Sequence, residues 1–548
     1  MSNIKIPRKL FEKEIGKLDK KMQHKIAMFG TPLESFSDEE IELEIFPNRP
    51  DLLSYQGFKR SFLCFLGKKK GLQEYKIQKP AKNYQVIIDS SVKKVRPYTA
   101  CAIVRDIKFN DEKIKEIIDI QEKLHLTLGR KRKKFGIGIY PLEKIKLPIK
   151  YKALEPDKIK FIPLESEREM SGLQILQRHQ IGRDYAHLLA GKTKFPVFID
   201  ANKEIMSMPP IINSKLTGKV TEKTKDIFIE CSGFDFNILK KCLNIIVTTF
   251  ADMGGKIYSM ELKGLKEKTP NLTTEKRKIS LEKTNKLLGL NLNEKQLKQM
   301  LEKMGHNYKN GNVEIAPWRT DILQEVDLIE DVAIAYGYDN ITEEIPEIST
   351  IGKESEKEII KNKIAEILTN INLLEVSNYH LTNKKDQFTK MGVSEKQEKD
   401  FIEVEESKTD YSILRKNLSA YLMKNFAENT DADYPQKIFE IGKVFEEKSE
   451  QINEKENLGI AIASGNFTEL KQIIEYLFRM LGIQIEIKEP EKNLIHFIEG
   501  RCAQLLIDKK EIGYFGEIHP KIIKNWKIKM PIVLCEIELK EVFEKLRN

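Results

Sequence analysis

Apolar residues return every three to four positions in some stretches of this chain and every second position in others, and the two periods divide it into helices and strands. The helical period is clearest over Asp111–Leu128, where Ile114, Ile117, Ile118, Leu124 and Leu128 share a face and Gly129 stands ready to end the helix. It returns over Leu52–Gly67, Ser280–Leu288, 293–304, Glu356–Leu368 and Leu418–Asn429. Asp51 is placed to cap the first of these, and Asn293/Gln296 and Ser355/Glu358 have capping-box spacing. Strand patterns occupy Leu43–Phe46, Val86–Ile88, Ala100–Val104, Phe195–Asp200 and Asp226–Cys231, the last broken by Ser232-Gly233. Asn310-Gly311, inside Tyr308–Ile315, is a hairpin signal. Beyond Ser355, strands at Glu375–Leu381, Asp410–Arg415, Lys437–Phe445, Leu458–Ser464, Ala503–Ile507, Glu511–Gly516 and Ile532–Glu538 alternate with helices, and Phe497–Ala503 reads as a core turn.

These patterns predict an α+β multidomain chain. Residues 1–85 form a small N-terminal domain and 86–265 an α/β domain. Residues 272–345 follow a helix, helix, hairpin order that is winged-helix-like. Residues 355–548 form an antiparallel sheet domain with flanking helices. At 548 residues the chain is too long for one core.

Composition narrows the class. Charged residues make up 32% and hydrophobic ones 40%, and no run of about 18 apolar residues exists, so no membrane span is expected. The N-terminus lacks an apolar signal core, which points to the cytoplasm. Six cysteines lie scattered without a C-x-x-C pair, which predicts reduced thiols and no zinc site. The formal net charge of +10 favours a polyanionic partner. The run Arg130–Lys134 is either a phosphate contact or a solvated basic loop beside a negative helix end.

The stretch Pro317–Ile341 carries the densest chemistry. Thr320 or Asp321 can cap a helix in which Asp327, Glu330 and Asp331 fall at i, i+3 and i+4, placing three carboxylates on one face. Val326, Ile329, Ala333 and Tyr336 form an apolar stripe beside them, and Gly337 ends the helix. Such a face is either a magnesium site, since hard oxygens suit that ion, or an acidic start favoured by the helix dipole.

The residue order in this stretch, Trp318-Arg319-Thr320-Asp321-Ile322, then Asp327-Leu328-Ile329-Glu330-Asp331-Val332-Ala333, then Tyr336-Gly337-Tyr338, resembles the signature of the phenylalanine–tRNA ligase beta-subunit family. The likeness continues in Asn48-Arg49-Pro50-Asp51-Leu52-Leu53-Ser54, in Gln121–His125 with Gly136–Ile139, in Ile413–Leu418, in Phe439–Gly442 and in Gly516–Pro520. It is nearer the archaeal and eukaryotic form than the bacterial one.

The resemblance implies a tetramer of two alpha and two beta chains that attaches phenylalanine to its tRNA with ATP, through an adenylate made in the alpha subunit. It implies magnesium held by Asp321, Asp327, Glu330 and Asp331 at sites shared with that subunit. It also implies an editing domain that hydrolyses tyrosyl-tRNA, with Ser207, Asn213, Glu230 and Ser232 in its pocket. This chain has Glu230-Cys231-Ser232 where the family usually has Asp-Val-Thr, so the carboxylate is longer and the hydroxyl residue smaller. The C-terminal module resembles a class II synthetase sheet without an active site. Arg415 stands where an ATP-clamping arginine would, but no second arginine in a Gly-rich helical motif follows, so no residue here is assigned to charging. His496 and His519 read as structural. Two other classes share these features: a free-standing tRNA-editing hydrolase and a non-catalytic tRNA-binding scaffold.

Overall fold

Strands β1 (Ser2–Pro7), β2 (Leu33–Phe36) and β3 (Glu40–Ile45) open the computed structural model, paired in the order β1-β3-β2. The structure describes residues 2–347, 350–394, 401–448, 451–491 and 494–547. Alternation along β1 and β3 buries Ile4, Ile6, Ile41, Leu43 and Ile45 against Phe58 and Phe62 of helix α1 (Tyr55–Phe65). This helix starts three residues later than expected. Ser54, not Asp51, caps it, accepting from the backbone N–H of Gly57 at 3.0 Å. Asp51 is occupied by Arg49, with bonds of 2.9 and 2.8 Å.

Residues 85–263 build the main path of one large sheet, and Ile77–Gln78 and Glu267–Thr269 also pair with its strand Lys256–Lys263. The strands of the main path are β4 (Gln85–Ile88), β5 (Tyr98–Arg105), β6 (Phe135–Pro141), β7 (Ile149–Leu154), β8 (Phe195–Ile199), β9 (Ile205–Met208), β10 (Ile212–Asn213), β11 (Ile227–Gly233) and β12 (Lys256–Lys263). They run in the order β10-β9-β8-β7-β4-β12-β5-β11-β6. The register sets Ser207 opposite Asn213 and Glu230 between Cys101 and Gly138. The expected break at Ser232-Gly233 is not there, because β5 and β6 hold both residues in the ladder. Helix α2 (Asp111–Leu126) ends at Thr127, ahead of Gly129, and Arg130, Lys131 and Arg132 follow in the left-handed region at φ 47, 53 and 63°. Helix α3 (Phe236–Asp252) buries Leu239, Leu243, Ile246 and Phe250 in the same core as β1 and β3.

The next segment carries β13 (Glu275–Lys278), α4 (Leu281–Leu288), α5 (Glu294–Lys303), β14 (Asn307–Lys309), β15 (Asn312–Ile315) and α6 (Glu325–Tyr336). Ser280 caps α4, and the Asn293/Gln296 capping box is formed. Asn310 and Gly311 adopt φ 48 and 74°, as a two-residue hairpin turn demands. Met304, Ala316, Trp318 and Ala335 join the hydrophobic core of the N-terminal segment, so Met1–Ile345 is one unit.

Pro346–Asn548 is a second unit. Its helices α7 (Glu356–Thr369), α8 (Ser419–Glu428) and α9 (Phe467–Leu481) flank a sheet. The strands are β16 (Leu374–Glu375), β17 (Gln436–Lys448), β18 (Gln451–Ala463), β19 (Glu486–Lys488), β20 (Phe497–Ile507), β21 (Lys510–Ile518) and β22 (Ile532–Glu538), in the order β16-β17-β18-β22-β21-β20-β19. All neighbours are antiparallel except β16 with β17. Three expectations fail in this unit. The strands placed at Glu375–Leu381 and Asp410–Arg415 shrink to two-residue pieces. Phe497–Ala503 is the first half of β20, not a turn.

Arg415 is buried, with Nη1 on Glu440 Oε1 at 2.5 Å and Nε on the Lys443 carbonyl at 2.7 Å. A Cβ at Gly442 would overlap its guanidinium. Glycine at 442 is therefore what admits the buried arginine. Gly442→Ala is expected to lower the melting temperature of this unit by several degrees, as overpacking by one methyl costs about 1–3 kcal/mol; an unchanged melt would show that Arg415 can move aside.

Candidate functional site

The four pocket residues drawn from the resemblance are brought together in the large sheet. Ser207, Glu230 and Ser232 are fully buried, and Asn213 is half-buried. A fifth side chain sits among them. Tyr140 of β6 donates to Ser207 Oγ at 2.8 Å and stands 3.2 Å from Asn213 Oδ1 and 3.4 Å from Glu230 Oε1. Ser232 is turned to Arg96, whose Nε reaches its Oγ at 3.2 Å and whose Nη2 reaches its carbonyl at 2.6 Å.

Beside the cluster lies a cavity of about 770 Å³, lined by Ile117, His125, Ile137, Ile211, Asn213 and Glu230 among others. One wall is tied by Arg132, which binds Glu122 of α2 at 2.9 Å and the Ile211 carbonyl at 2.9 Å. His125 Nε2 accepts from the Ile137 N–H at 2.8 Å, so its Nδ1 carries the proton facing Glu122, and burial holds the ring neutral. Glu230 Oε2 is buried without a hydrogen-bond partner. Burial pushes this carboxyl up to about 8, against the opposing pull of Arg96, Ser232 and Tyr140. Its acid form is therefore the neutral-pH form. The cavity joins an apolar wall of Ile114, Ile117, Ile137 and Ile211 to polar groups that include Glu230, the combination expected of a site for a ring with a polar substituent.

The acidic stretch is arranged differently from its spacing. Helix α6 starts at Glu325, and Asp327 Oδ2 accepts from the backbone N–H of Leu323 and Gln324 at 2.7 and 2.6 Å. Neither Thr320 nor Asp321 caps it. Asp321 is held by Arg319, Nε to Oδ1 at 2.8 Å and Nη2 to Oδ2 at 2.7 Å. Asp331 is turned inward, 3.0 Å from Arg319 and 2.8 Å from His306 Nε2. Burial opposes its charge, but Arg319 and His306 outweigh burial and hold it well below the usual carboxylate range.

The carboxylates thus do not share one face. The buried stripe of α6 includes Asp331, while Val326, expected in that stripe, is 46% exposed beside exposed Glu330. Among the described residues no three His, Cys, Asp or Glu side chains converge as a metal cage. Asp327 and Glu330 lie away from Arg319, whereas Asp321 and Asp331 are both engaged by it.

The chain is 39% identical over 509 residues to the phenylalanine–tRNA ligase beta subunit of Thermococcus sibiricus, covering 91% of this chain and 90% of that one. It belongs to the phenylalanine–tRNA ligase beta-subunit family. The beta subunits of Archaeoglobus fulgidus and Methanococcus aeolicus are 36 and 37% identical, with at least 95% of each chain covered. Family models match in order: a B3/4 domain at 82–252, a tRNA synthetase B5 domain at 277–338 and the phenylalanyl tRNA synthetase beta chain CLM domain at 341–539. A crystal structure of an N-terminal fragment of the phenylalanyl-tRNA synthetase beta-subunit from Pyrococcus horikoshii matches with a TM-score of 0.58 at 36% identity, covering 61% of this chain and 99% of that fragment. Among the described residues no helix is long and apolar enough to cross a membrane.

In this beta-subunit chain, sequence reasoning missed Tyr140, Arg96 and His306, and it read Arg132 with the solvated or phosphate-binding run 130–134, whereas the structure buries it on Glu122 and the Ile211 carbonyl. A signal for Tyr140 existed. Gly136, Gly138 and Tyr140 alternate along one strand, so two glycines clear the face on which the ring lies.

Proposed function

We propose that this chain acts as the beta half of a cytoplasmic phenylalanine–tRNA ligase, in a tetramer of two alpha and two beta chains. The alpha subunit would make the phenylalanyl adenylate from ATP and pass phenylalanine to the tRNA. The observation that carries this reading is the match over nine-tenths of both chains, with three family domains in order. The second unit supports the division of labour. Its one class II-like arginine, Arg415, is buried on Glu440 and is not available to ATP. The exposed cations Arg130, Lys131 and Lys133, beside the pocket helix, suit a tRNA backbone. The test is phenylalanine charging by this chain alone, by a matching alpha chain alone and by the mixture. Activity in the mixture alone supports the reading; none anywhere, with tRNA binding kept, points to a scaffold.

Within that assembly we assign the pocket around Glu230 to hydrolysis of tyrosyl-tRNA. An apolar site rejects an added hydroxyl poorly, so a second pocket that reads the hydroxyl is physically reasonable. Glu230 Oε2, buried and unpartnered, supports this assignment. Deacylation of tyrosyl-tRNA by this chain without an alpha subunit would favour the free-standing hydrolase instead.

Magnesium is proposed at Asp327 and Glu330, completed by donors from the alpha subunit, with Asp321 and Asp331 fixing the backbone through Arg319. When bound, the ion would supply electrostatic bridging between the chains. Asp327→Asn keeps the acceptor that starts α6 while removing its charge, so it separates the two roles. Asp327→Asn with Glu330→Gln is expected to raise the magnesium concentration needed for tetramer formation about tenfold, read by size-exclusion chromatography with light scattering. Unchanged assembly across a magnesium titration would remove both residues from the metal site.

A further inference from the structure

Three oxygens of the pocket cluster face one hydroxyl. The single proton of the Tyr140 hydroxyl faces Ser207 Oγ, Asn213 Oδ1 and Glu230 Oε1, and its shortest bond goes to Ser207. Arg96, the nearby cation, is spent on Ser232. Among the described residues no cation hydrogen-bonds Glu230, which is 2% exposed. An ionised carboxylate so placed is costly, and a proton on it supplies the missing donor. With that proton, Tyr140 can donate to Ser207 and accept from the Glu230 side at once. The packing enforces the arrangement, since the phenol lies over Gly138 and a Cβ there would overlap both the Tyr140 hydroxyl and Glu230 Oε1.

We infer that Tyr140 is a positioning residue of the hydroxyl-reading site: its phenol fixes Oε1 of Glu230 together with Ser207 and Asn213, and so sets the orientation of the carboxyl that lines the cavity. This rests on the assignment of that pocket to tyrosyl-tRNA hydrolysis and deepens it. Tyr140 does not touch the substrate. It acts through Glu230, and through it the pocket separates a ring that bears a hydroxyl from one that does not.

The test uses the assembled alpha–beta enzyme with tyrosyl-tRNA and phenylalanyl-tRNA, the uncatalysed ester hydrolysis being subtracted at each pH. Two variants break the same contact differently. Tyr140→Phe removes the hydroxyl and keeps the ring; Gly138→Ala forces the hydroxyl and the carboxyl apart and changes neither. In both, the preference for tyrosyl- over phenylalanyl-tRNA is expected to fall about tenfold, the worth of one or two buried hydrogen bonds.

A pH profile separates positioning from general packing. The groups facing the Glu230 carboxyl are Arg96, Tyr140 of β6, Cys101 of β5 and Tyr151 of β7. In the wild type the tyrosyl rate is expected to decline as pH rises through about 8, where Glu230 ionises. When Glu230 loses its proton the Tyr140 hydroxyl can turn from Ser207 to donate to Oε1, which favours the ionised form, so Tyr140→Phe moves that decline to higher pH. If both variants melt with the wild type and keep its preference and profile, Tyr140 is only a packing residue and the inference is overturned. If the wild type itself hydrolyses no tyrosyl-tRNA above the uncatalysed rate, the editing assignment fails and takes the inference with it.

Discussion

Arg319→Met is expected to destabilise the first unit by about 3–5 kcal/mol, the cost of leaving a buried charge uncompensated. The guanidinium is 4% exposed and holds two carboxylates, Asp321 and Asp331. Without it both carboxylates lose their cation, and Asp331 is left with the buried, neutral His306. The loss propagates, because Asp51 adds to the field at Arg319 and Arg49 to that at Asp331. Trp318 reports the event. The chain has two tryptophans, and in a Trp526→Phe background the fluorescence during urea unfolding comes from Trp318 alone. An unfolding midpoint equal to the wild type's would show that the cluster adds nothing to stability. Asp331→Asn, which keeps hydrogen bonding and removes one negative charge, should cost less than Arg319→Met.

Glu230→Gln should stabilise the chain, and only at the alkaline end. The Glu230 carboxyl titrates near 4.5 when unfolded and about 8 when folded. Below 4.5 both states hold the proton and the position is neutral. Between 4.5 and 8 the unfolded chain releases it while the folded chain keeps it, so stability is lost steadily as pH rises. Glutamine carries no such proton. The gain over wild type should be small at pH 5 and reach a few kcal/mol at pH 8, at about 1.4 kcal/mol per unit of separation. Paired thermal melts at the two pH values measure it. A gain of equal size at both would mean that Glu230 is ionised in the folded protein.

Much of the fold was legible in periodicity and caps. Asn293, Ser355 and the Asn310-Gly311 turn stand where their chemistry predicts. The misses share a cause, which is that spacing along one element is blind to what crosses from another. Asp327, Glu330 and Asp331 look equivalent on a helical wheel; Arg319 and His306 take Asp331 inward and leave Glu330 outside. Asp51 looks like a cap until Arg49 claims it. Strands β17 and β18 run longer than read because their outer halves are held by cross-strand pairs such as Lys443 with Glu454 and Glu446 with Lys455, whose charges mask the alternation. The pocket residues came from family likeness, and Tyr140, the side chain that links three of them, came from the structure alone.

Trp318 lies edge-on to Tyr75, with the Arg60 guanidinium 4.3 Å above its ring. Those partners leave the ribosome ~250 residues before it does. At about 5–20 residues per second, the first segment waits on the order of ten to fifty seconds with this seat empty. The packing around Tyr75 and Arg60 is therefore completed only once Trp318 is made, and a chain ending before it is expected to be cut sooner than the full chain in limited proteolysis.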